Sequence, residues 1–246
     1  MKSIILCEGK TDGILISYFL IRQYGWKYKH ANKQREDLPI DHRNEQFNLY
    51  TNAADPSREL SIWGGNGISD IPRKLKCVIE RNRVERSSEG RYCRTVIFFD
   101  RDEQTEQECE TLVRSWFKEA DVTFEKAPTI GKWNSGSIEL NLKPTNKYVQ
   151  EFLCIVLPPA SNGALETFLL DCLKQASTSD QIIVDEANKF IDRIPSGHQY
   201  LPHRRLRQKA CMGSVLSVVS PDWVYSALET RLTQVPWENL ATASVV

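Results

Sequence analysis

Two short apolar runs that end in acid constrain this chain more than any other feature. Ile4-Ile5-Leu6-Cys7 leads straight into Glu8-Gly9-Lys10-Thr11-Asp12, and Val96-Ile97-Phe98-Phe99 leads straight into Asp100-Arg101-Asp102. Runs this short and this apolar read as buried strands, and in an open α/β sheet ligands gather outside the carboxyl ends of such strands. Carboxylates brought to one rim repel one another unless a cation lies between them. Hard oxygen donors favour Mg²⁺ or Mn²⁺ over Zn²⁺. The pattern therefore predicts a divalent-metal site on Glu8, Asp100 and Asp102.

The rest of the chain alternates in a way that supports a parallel sheet. A strand over 2–7 is followed by a helix over about 12–24, with Thr11 as its cap and Ile14, Leu15, Tyr18 and Phe19 on one face. A polar stretch over about 27–58 reads as an insertion holding one strand near Phe47 to Tyr50. Leu60-Ser61-Ile62-Trp63 reads as a short strand that ends in Gly64-Gly65-Asn66-Gly67, with a helix over about 68–83 after it. The strand at 95–99 precedes an acidic helix over about 104–120. A second insertion over about 127–148 reads as a hairpin around Ile138-Glu139-Leu140-Asn141-Leu142. Phe152 to Leu157 forms another buried strand, stopped by Pro158-Pro159, and helices follow over about 163–176, 180–193, 203–216 and 221–233. Short apolar strands alternating with helices give an α/β fold with right-handed crossovers.

Charge is distributed unevenly although the formal net charge is +0. Residues 71–94 hold eight Lys/Arg against three Glu, and 100–125 hold nine Asp/Glu against three Lys/Arg. The basic stretch, with Arg73 and Lys74 at its start, suits contact with a phosphate backbone. The seven cysteines are scattered with no CxxC pair, which predicts reduced thiols and a cytoplasmic location. No apolar run approaches the length of a membrane span, and the N-terminus lacks the layout of a signal peptide, so no membrane partner is expected.

Several positions carry two readings. Asp12 either adds a metal ligand through water or favours the first turn of its helix by its charge. Glu166, at the start of a helix, is open to the same two. Gly64, Gly65 and Gly67 form either a backbone nest for phosphate, with Lys10 nearby, or a tight strand-to-helix turn. His203-Arg204-Arg205-Leu206-Arg207-Gln208-Lys209 is either a solvated helix face or a basic patch, with Arg205 and Lys209 sharing a face. Arg101, between the two aspartates, offsets part of the acidic charge and weakens a second metal. Trp223, Val224, Leu228, Leu232 and Trp237 either pack on the sheet or supply a surface for a homodimer or a partner.

The sequence Ile-Leu-Cys-Glu-Gly-Lys-Thr-Asp after the first strand, the glycine-rich turn after the second and Phe-Phe-Asp-Arg-Asp after the third resemble a Toprim domain. That catalytic module is shared by topoisomerases, bacterial primases, OLD-type nucleases and small RNA-maturation nucleases. The resemblance implies a Toprim-like Rossmannoid parallel sheet flanked by helices over residues 1–175, with a helical C-terminal extension over 176–246 packed on it. Leu157-Pro158-Pro159 and Gly163-Ala164-Leu165-Glu166 are similar to stand-alone bacterial Toprim proteins, some relatives of which are nuclease effectors in phage defence. It further implies that Glu8 and Asp100 hold one Mg²⁺ (or Mn²⁺), and that Asp102, helped by Asp12 or Glu166, holds a second. Lys209, by likeness to OLD-type nucleases, would support the scissile phosphate, with Arg205 behind it. The expected activity is a metal-dependent endonuclease acting on DNA or RNA. Its alternatives are a non-catalytic metal- or nucleotide-binding module that regulates a partner, and an RNA-processing nuclease. The chain is too short for a DNA gate and has no zinc cluster of the primase kind. It also has no Walker A loop, so an ATPase would have to come from another chain.

Overall fold

The computed structural model describes residues 1–29, 38–141 and 146–219. The chain divides after Pro159 into two compact units.

The first unit is built on one eight-stranded sheet. Its strands are β1 (Lys2–Cys7), β2 (Trp26–Lys29), β3 (Glu45–Asn52), β4 (Glu59–Gly65), β5 (Tyr92–Asp100), β6 (Thr123–Phe124), β7 (Trp133–Glu139) and β8 (Lys147–Leu157). They lie in the order β2-β3-β4-β1-β5-β8-β7-β6. The four central strands, β4-β1-β5-β8, are mutually parallel, whereas β2, β3, β6 and β7 join in antiparallel fashion. The fold is thus the expected α/β, Rossmann-like class with its parallel order confined to the centre. The two stretches expected as insertions supply most of the antiparallel wings, while the edge strand β6 (Thr123–Phe124) lies before the second of them. The 27–58 stretch supplies β3 and most of β2, and β7 pairs as a hairpin with a β8 that begins earlier than its apolar run.

Both faces of the centre are covered, which explains why these strands read as continuous apolar runs. Ile4 and Leu6 point to a core shared with Trp63, Ile97, Phe99 and Phe152, while Ile5 and Cys7 point to the opposite core with Ile62. Helix α1 (Lys10–Tyr24) covers the second face through Ile16 and Leu20. Helices α2 (Ile71–Val84) and α3 (Glu106–Glu119) cover the first, through Ile71, Leu75 and Ile79 of α2 and Val113, Trp116 and Phe117 of α3. Phe99 and Phe117 set their rings edge-on at 5.1 Å from Trp116 and Phe152 respectively. Two helix starts differ instructively. In α3, Thr105 and Glu108 form a reciprocal capping box. In α1 the cap is Gly9 and not Thr11, because Asp12 Oδ2 reaches back to accept the Gly9 N–H at 2.7 Å.

The second unit contains α4 (Leu165–Ala176), α5 (Thr178–Arg193) and α6 (Arg204–Val219). Leu170, Leu173, Val184, Ala187, Ile191, Cys211 and Val215 form its core. Because α4 buries its apolar stripe against α5 and α6, it belongs with them; the expectation placed it in the first domain, ending at 175. The helix expected over 221–233, with Trp223, Val224, Leu228, Leu232 and Trp237, lies outside the described residues. Among the described residues no helix is long and apolar enough to cross a membrane, and none of the seven cysteines is in a disulfide.

Candidate functional site

The order β4-β1-β5 puts β1 where the sheet reverses direction: the chain leaves β1 toward β4 on one side and returns to β5 on the other. The crevice beyond the carboxyl ends of strands at such a point is where α/β sheets bind ligands. Parallel pairing in register, Cys7 beside Phe98 and Gly64, brings Glu8, Asp100 and the glycine turn to that one edge.

Glu8 is 3% exposed, Asp100 7% and Asp12 8%. The Glu8 Oε1 accepts the backbone N–H of Asp100 at 2.8 Å, which stitches the ends of β1 and β5 together and uses one of the two carboxylate oxygens. The Glu8 carbonyl accepts N–H bonds from Gly65 (3.1 Å) and Gly67 (2.9 Å). Asp102 sits just past the strand with φ of 52°, a left-handed conformation that Asp tolerates better than most residues and that turns the chain off the sheet.

The electrostatics of this edge are one-sided. Burial, and after it the charge of Asp100, push the Glu8 carboxyl up to about 8. Asp12 and Asp102 add to the rise, and the Asp100 N–H opposes it. The Arg101 guanidinium is held by backbone carbonyls, with Nε donating to Pro158 (2.9 Å) and Nη2 to Pro159 (2.5 Å). Cys7, next to Glu8, is not a competing soft ligand: burial, with Asp12 and Glu8 adding, holds its thiol well above the ordinary value. The carboxylates of Glu8, Asp100 and Asp102 are hard oxygen donors, the type that Mg²⁺ or Mn²⁺ takes. Among the described residues, no three such side chains stand close enough to form a finished ion cage.

The other expected site residues are placed as follows. Asp12 is committed to capping Gly9. The Gly65 and Gly67 amides are spent on the Glu8 carbonyl, so this turn closes the strand edge and is not an open phosphate nest. Gly64 is required by close approach, since a Cβ there would lie 2.4 Å from the Gly9 carbonyl oxygen. Lys10 reaches the Arg43 carbonyl at 3.1 Å.

Arg73 and Lys74, expected at phosphate, are structural. Arg73 binds Asp70 through Nε (2.6 Å) and Nη2 (2.8 Å), and also pairs with Glu45. Lys74 is 0% exposed, and its ammonium donates to the carbonyls of Cys7 (3.1 Å) and Gly65, with Asp70 at 3.7 Å. Arg81, Arg83 and Arg91 of the same basic stretch are likewise held by Gly90, by Glu80 and Asp121, and by Asn82 and Glu85. In the second unit Lys209 and Glu166 pair with each other at 3.8 Å, and Arg205 is exposed.

One residue of consequence was missed in the sequence. Glu45, 3% exposed, gathers the Trp63 Nε1 (3.0 Å), the Asn66 Nδ2 (3.0 Å), the Asp41 N–H (2.9 Å) and Arg73. It buttresses the turn that carries Gly64 and Gly65. The alternation Glu45-x-Phe47-x-Leu49 was its signal.

None of the curated proteins matches the chain. Among solved structures it is similar to a hypothetical protein from Pyrococcus horikoshii OT3, with 15% identity, a TM-score of 0.47, and coverage of 97% of this chain and 98% of that one. The model of the family described as protein of unknown function, DUF3226, matches residues 2–223, and the chain belongs to that family.

Proposed function

We propose that this protein is a Mg²⁺- or Mn²⁺-dependent phosphodiesterase of Toprim type that cuts nucleic acid at the edge formed by Glu8, Asp100 and Asp102. One observation carries the reading: a buried glutamate at the sheet's switch point whose strongest charged neighbours are all acidic, so that its carboxyl is pushed up to about 8. Repulsion from Asp100, Asp12 and Asp102 adds to the cost of ionising buried Glu8, and strongly perturbed acids mark candidate functional sites. When bound, the metal would supply charge stabilisation at the phosphorus and an activated water. Glu8, held by the Asp100 N–H, Asp100 and Asp102 would be its ligands. Asp12 orients the β1–α1 turn and Glu45 and Lys74 brace the turn opposite. With Asp12 capping Gly9 and Glu166 paired to Lys209, the donors left on the first unit favour one ion over two.

The test is incubation of the purified protein with Mg²⁺ or Mn²⁺ and a panel of plasmid, single-stranded DNA and bulk tRNA, alongside Glu8→Gln and Asp100→Asn. Cleavage that falls at least about 100-fold in both variants, the scale of losing a preorganised electrostatic group, supports the proposal and names the substrate. Metal binding without cleavage, lost in the same variants, would favour the alternative of a metal- or nucleotide-binding module acting on a partner such as an ATPase. No metal binding would refute the nuclease reading and the metal-binding form of the alternative.

A further inference from the structure

Under the nuclease reading, a strand laid over the acidic edge needs cations for its other phosphates, since each phosphate neutralised by Lys or Arg releases counterions and adds affinity. Helix α2 does not supply them. Arg73 is held by Asp70 and Glu45, Lys74 and Arg81 by backbone carbonyls, and Arg83 by Glu80 and Asp121. Beyond β5 the chain continues in acid, Asp102-Glu103. The side next to β4 is different. Strand β3 runs antiparallel to β4 with Glu45 beside Gly65, so the turn before β3, Asp41-His42-Arg43-Asn44, stands at the same edge as Glu8.

All four residues of that turn are exposed, yet its backbone is pinned. The Asp41 carbonyl accepts the N–H of Asn44 (3.0 Å) and of Glu45 (2.7 Å). The Asp41 carboxylate accepts the Arg43 N–H (3.1 Å) and the Asn44 Nδ2 (2.8 Å), and the Asp41 N–H donates to buried Glu45 (2.9 Å). Two links join the turn to the site. Gly65, whose N–H is bound to the Glu8 carbonyl, lies against it: a Cβ there would meet the Asn44 carbonyl oxygen at 2.5 Å. The Lys10 ammonium, two residues beyond Glu8, donates to the Arg43 carbonyl at 3.1 Å.

That bond uses one of the three donors of an ammonium. The Arg43 guanidinium makes no hydrogen bond or ion pair among the described residues; the contacts of Arg43 are through its backbone. An arginine whose main chain is pinned and whose planar fork is open is preorganised for a phosphate oxyanion.

We propose that Arg43, with Lys10 beside it, holds a backbone phosphate of the bound strand close to the one at the acidic edge. The assignment rests on the nuclease reading and adds to it the side from which the strand is gripped. Lys10 lies at most about 7 Å of backbone from Glu8, and phosphates of one strand recur about every 3.4 Å along a duplex, so the gripped phosphate is within a few nucleotides of the cut. Contact with phosphate carries no base or sugar information, and DNA and RNA would be held alike.

Fluorescein-labelled oligo(dT) and oligo(U) are titrated with the full chain and followed by anisotropy, with Ca²⁺ in place of Mg²⁺, between about 50 and 200 mM NaCl. Arg43→Gln should raise Kd about fivefold or more at the low-salt end and make the salt slope shallower by about 0.7, one phosphate contact on a single strand. The factor should be the same on each strand that the wild type binds, and in Mg²⁺ the variant should raise KM at unchanged kcat. The substitution leaves in place the carbonyl that Lys10 binds, so the turn is kept. Lys118→Gln, which removes an exposed cation near the end of α3, should change neither Kd nor slope. Unchanged binding in Arg43→Gln, a loss matched by Lys118→Gln, or a loss confined to one of two strands that the wild type binds overturns the assignment and leaves the nuclease reading standing. Failure of the wild type to bind either strand overturns both.

Discussion

Replacing Glu8 by glutamine should make the metal-free protein more stable at neutral to alkaline pH while abolishing its affinity for Mg²⁺ and Mn²⁺. The glutamine keeps the shape of the side chain and an Oε1 that can accept the Asp100 N–H as Glu8 does at 2.8 Å. It removes the charge that burial, Asp100, Asp12 and Asp102 all oppose. The sign follows from proton linkage. A carboxyl near 4.5 in the unfolded chain and about 8 in the folded one binds more protons when folded, so its contribution is favourable at low pH. It is lost as pH rises from about 4.5 through about 8. At 1.36 kcal/mol per pKa unit, the wild type should lose about 3–4 kcal/mol from this one group between pH 5 and pH 8. For a chain of this size that corresponds to roughly 10 °C in Tm.

The assay is urea unfolding followed by tryptophan fluorescence, in EDTA, at several pH values across this window, for wild type and Glu8→Gln. The two curves should nearly coincide at the acid end and diverge as pH rises, with the variant the more stable. Adding Mn²⁺ at the alkaline end should return the wild type toward the variant's stability, by about 2.7 kcal/mol when the metal is at 100 times its Kd, and should leave Glu8→Gln unmoved. If the variant is as stable as or less stable than the wild type at pH 8 in EDTA, Glu8 is not held against its ionisation and the reasoning behind the metal site fails.

Lys74→Met should cost about 2–4 kcal/mol in urea unfolding, because it strips two buried carbonyls, those of Cys7 and Gly65, of their donor; a lysine that served phosphate alone would give weaker nucleic-acid binding at unchanged stability. Gly64→Ala should destabilise by more than about 2 kcal/mol, since its Cβ would lie 2.4 Å from the Gly9 carbonyl oxygen and 2.9 Å from the Cys7 sulfur, both fixed by the packing of β1 against β4. Lys209→Gln should change stability by less than about 0.5 kcal/mol, because the ion pair to Glu166 is long, at 3.8 Å, and its lysine half-exposed. A loss of cleavage in Lys209→Gln would therefore report on chemistry, and full activity would remove Lys209 from the reaction.

What the sequence made legible was whatever depends on local pattern. The apolar runs at Ile4 and Val96 gave central parallel strands because both of their faces are buried, and the acids that follow each run reach one edge because parallel strands in register end together. Charge partners were less legible. Arg73 and Lys74 read as a basic patch because their acids had to be sought: Asp70 lies at helical spacing, three and four residues back, but Glu45 comes from a strand that only the sheet brings near. Arg101 is flanked by acids in sequence, but the acceptors its guanidinium binds, the Pro158 and Pro159 carbonyls, lie beyond β8 where no local pattern announces them. The glycine turn was read with two outcomes, and the tie was broken by a backbone acceptor, the Glu8 carbonyl, that no side-chain pattern announces.

The same contrast bears on what the acidic edge is for. Elsewhere in the first unit the fold answers buried charge with charge: Glu45 meets Arg73, Arg73 meets Asp70, and Lys74 lies between Asp70 and two carbonyls. At Glu8 it answers charge with more of the same sign. Lys10 and Arg101, the cations that sequence places among these acids, donate to the carbonyls of Arg43 and of Pro158 and Pro159, and Lys74 donates to the Cys7 and Gly65 carbonyls. The opposition of Asp100, Asp12 and Asp102 to an ionised Glu8 contributes nothing to stability at neutral pH. Under the proposed reading a cation from solution would offset that opposition, and neutralising Glu8 would then raise stability while lowering metal affinity.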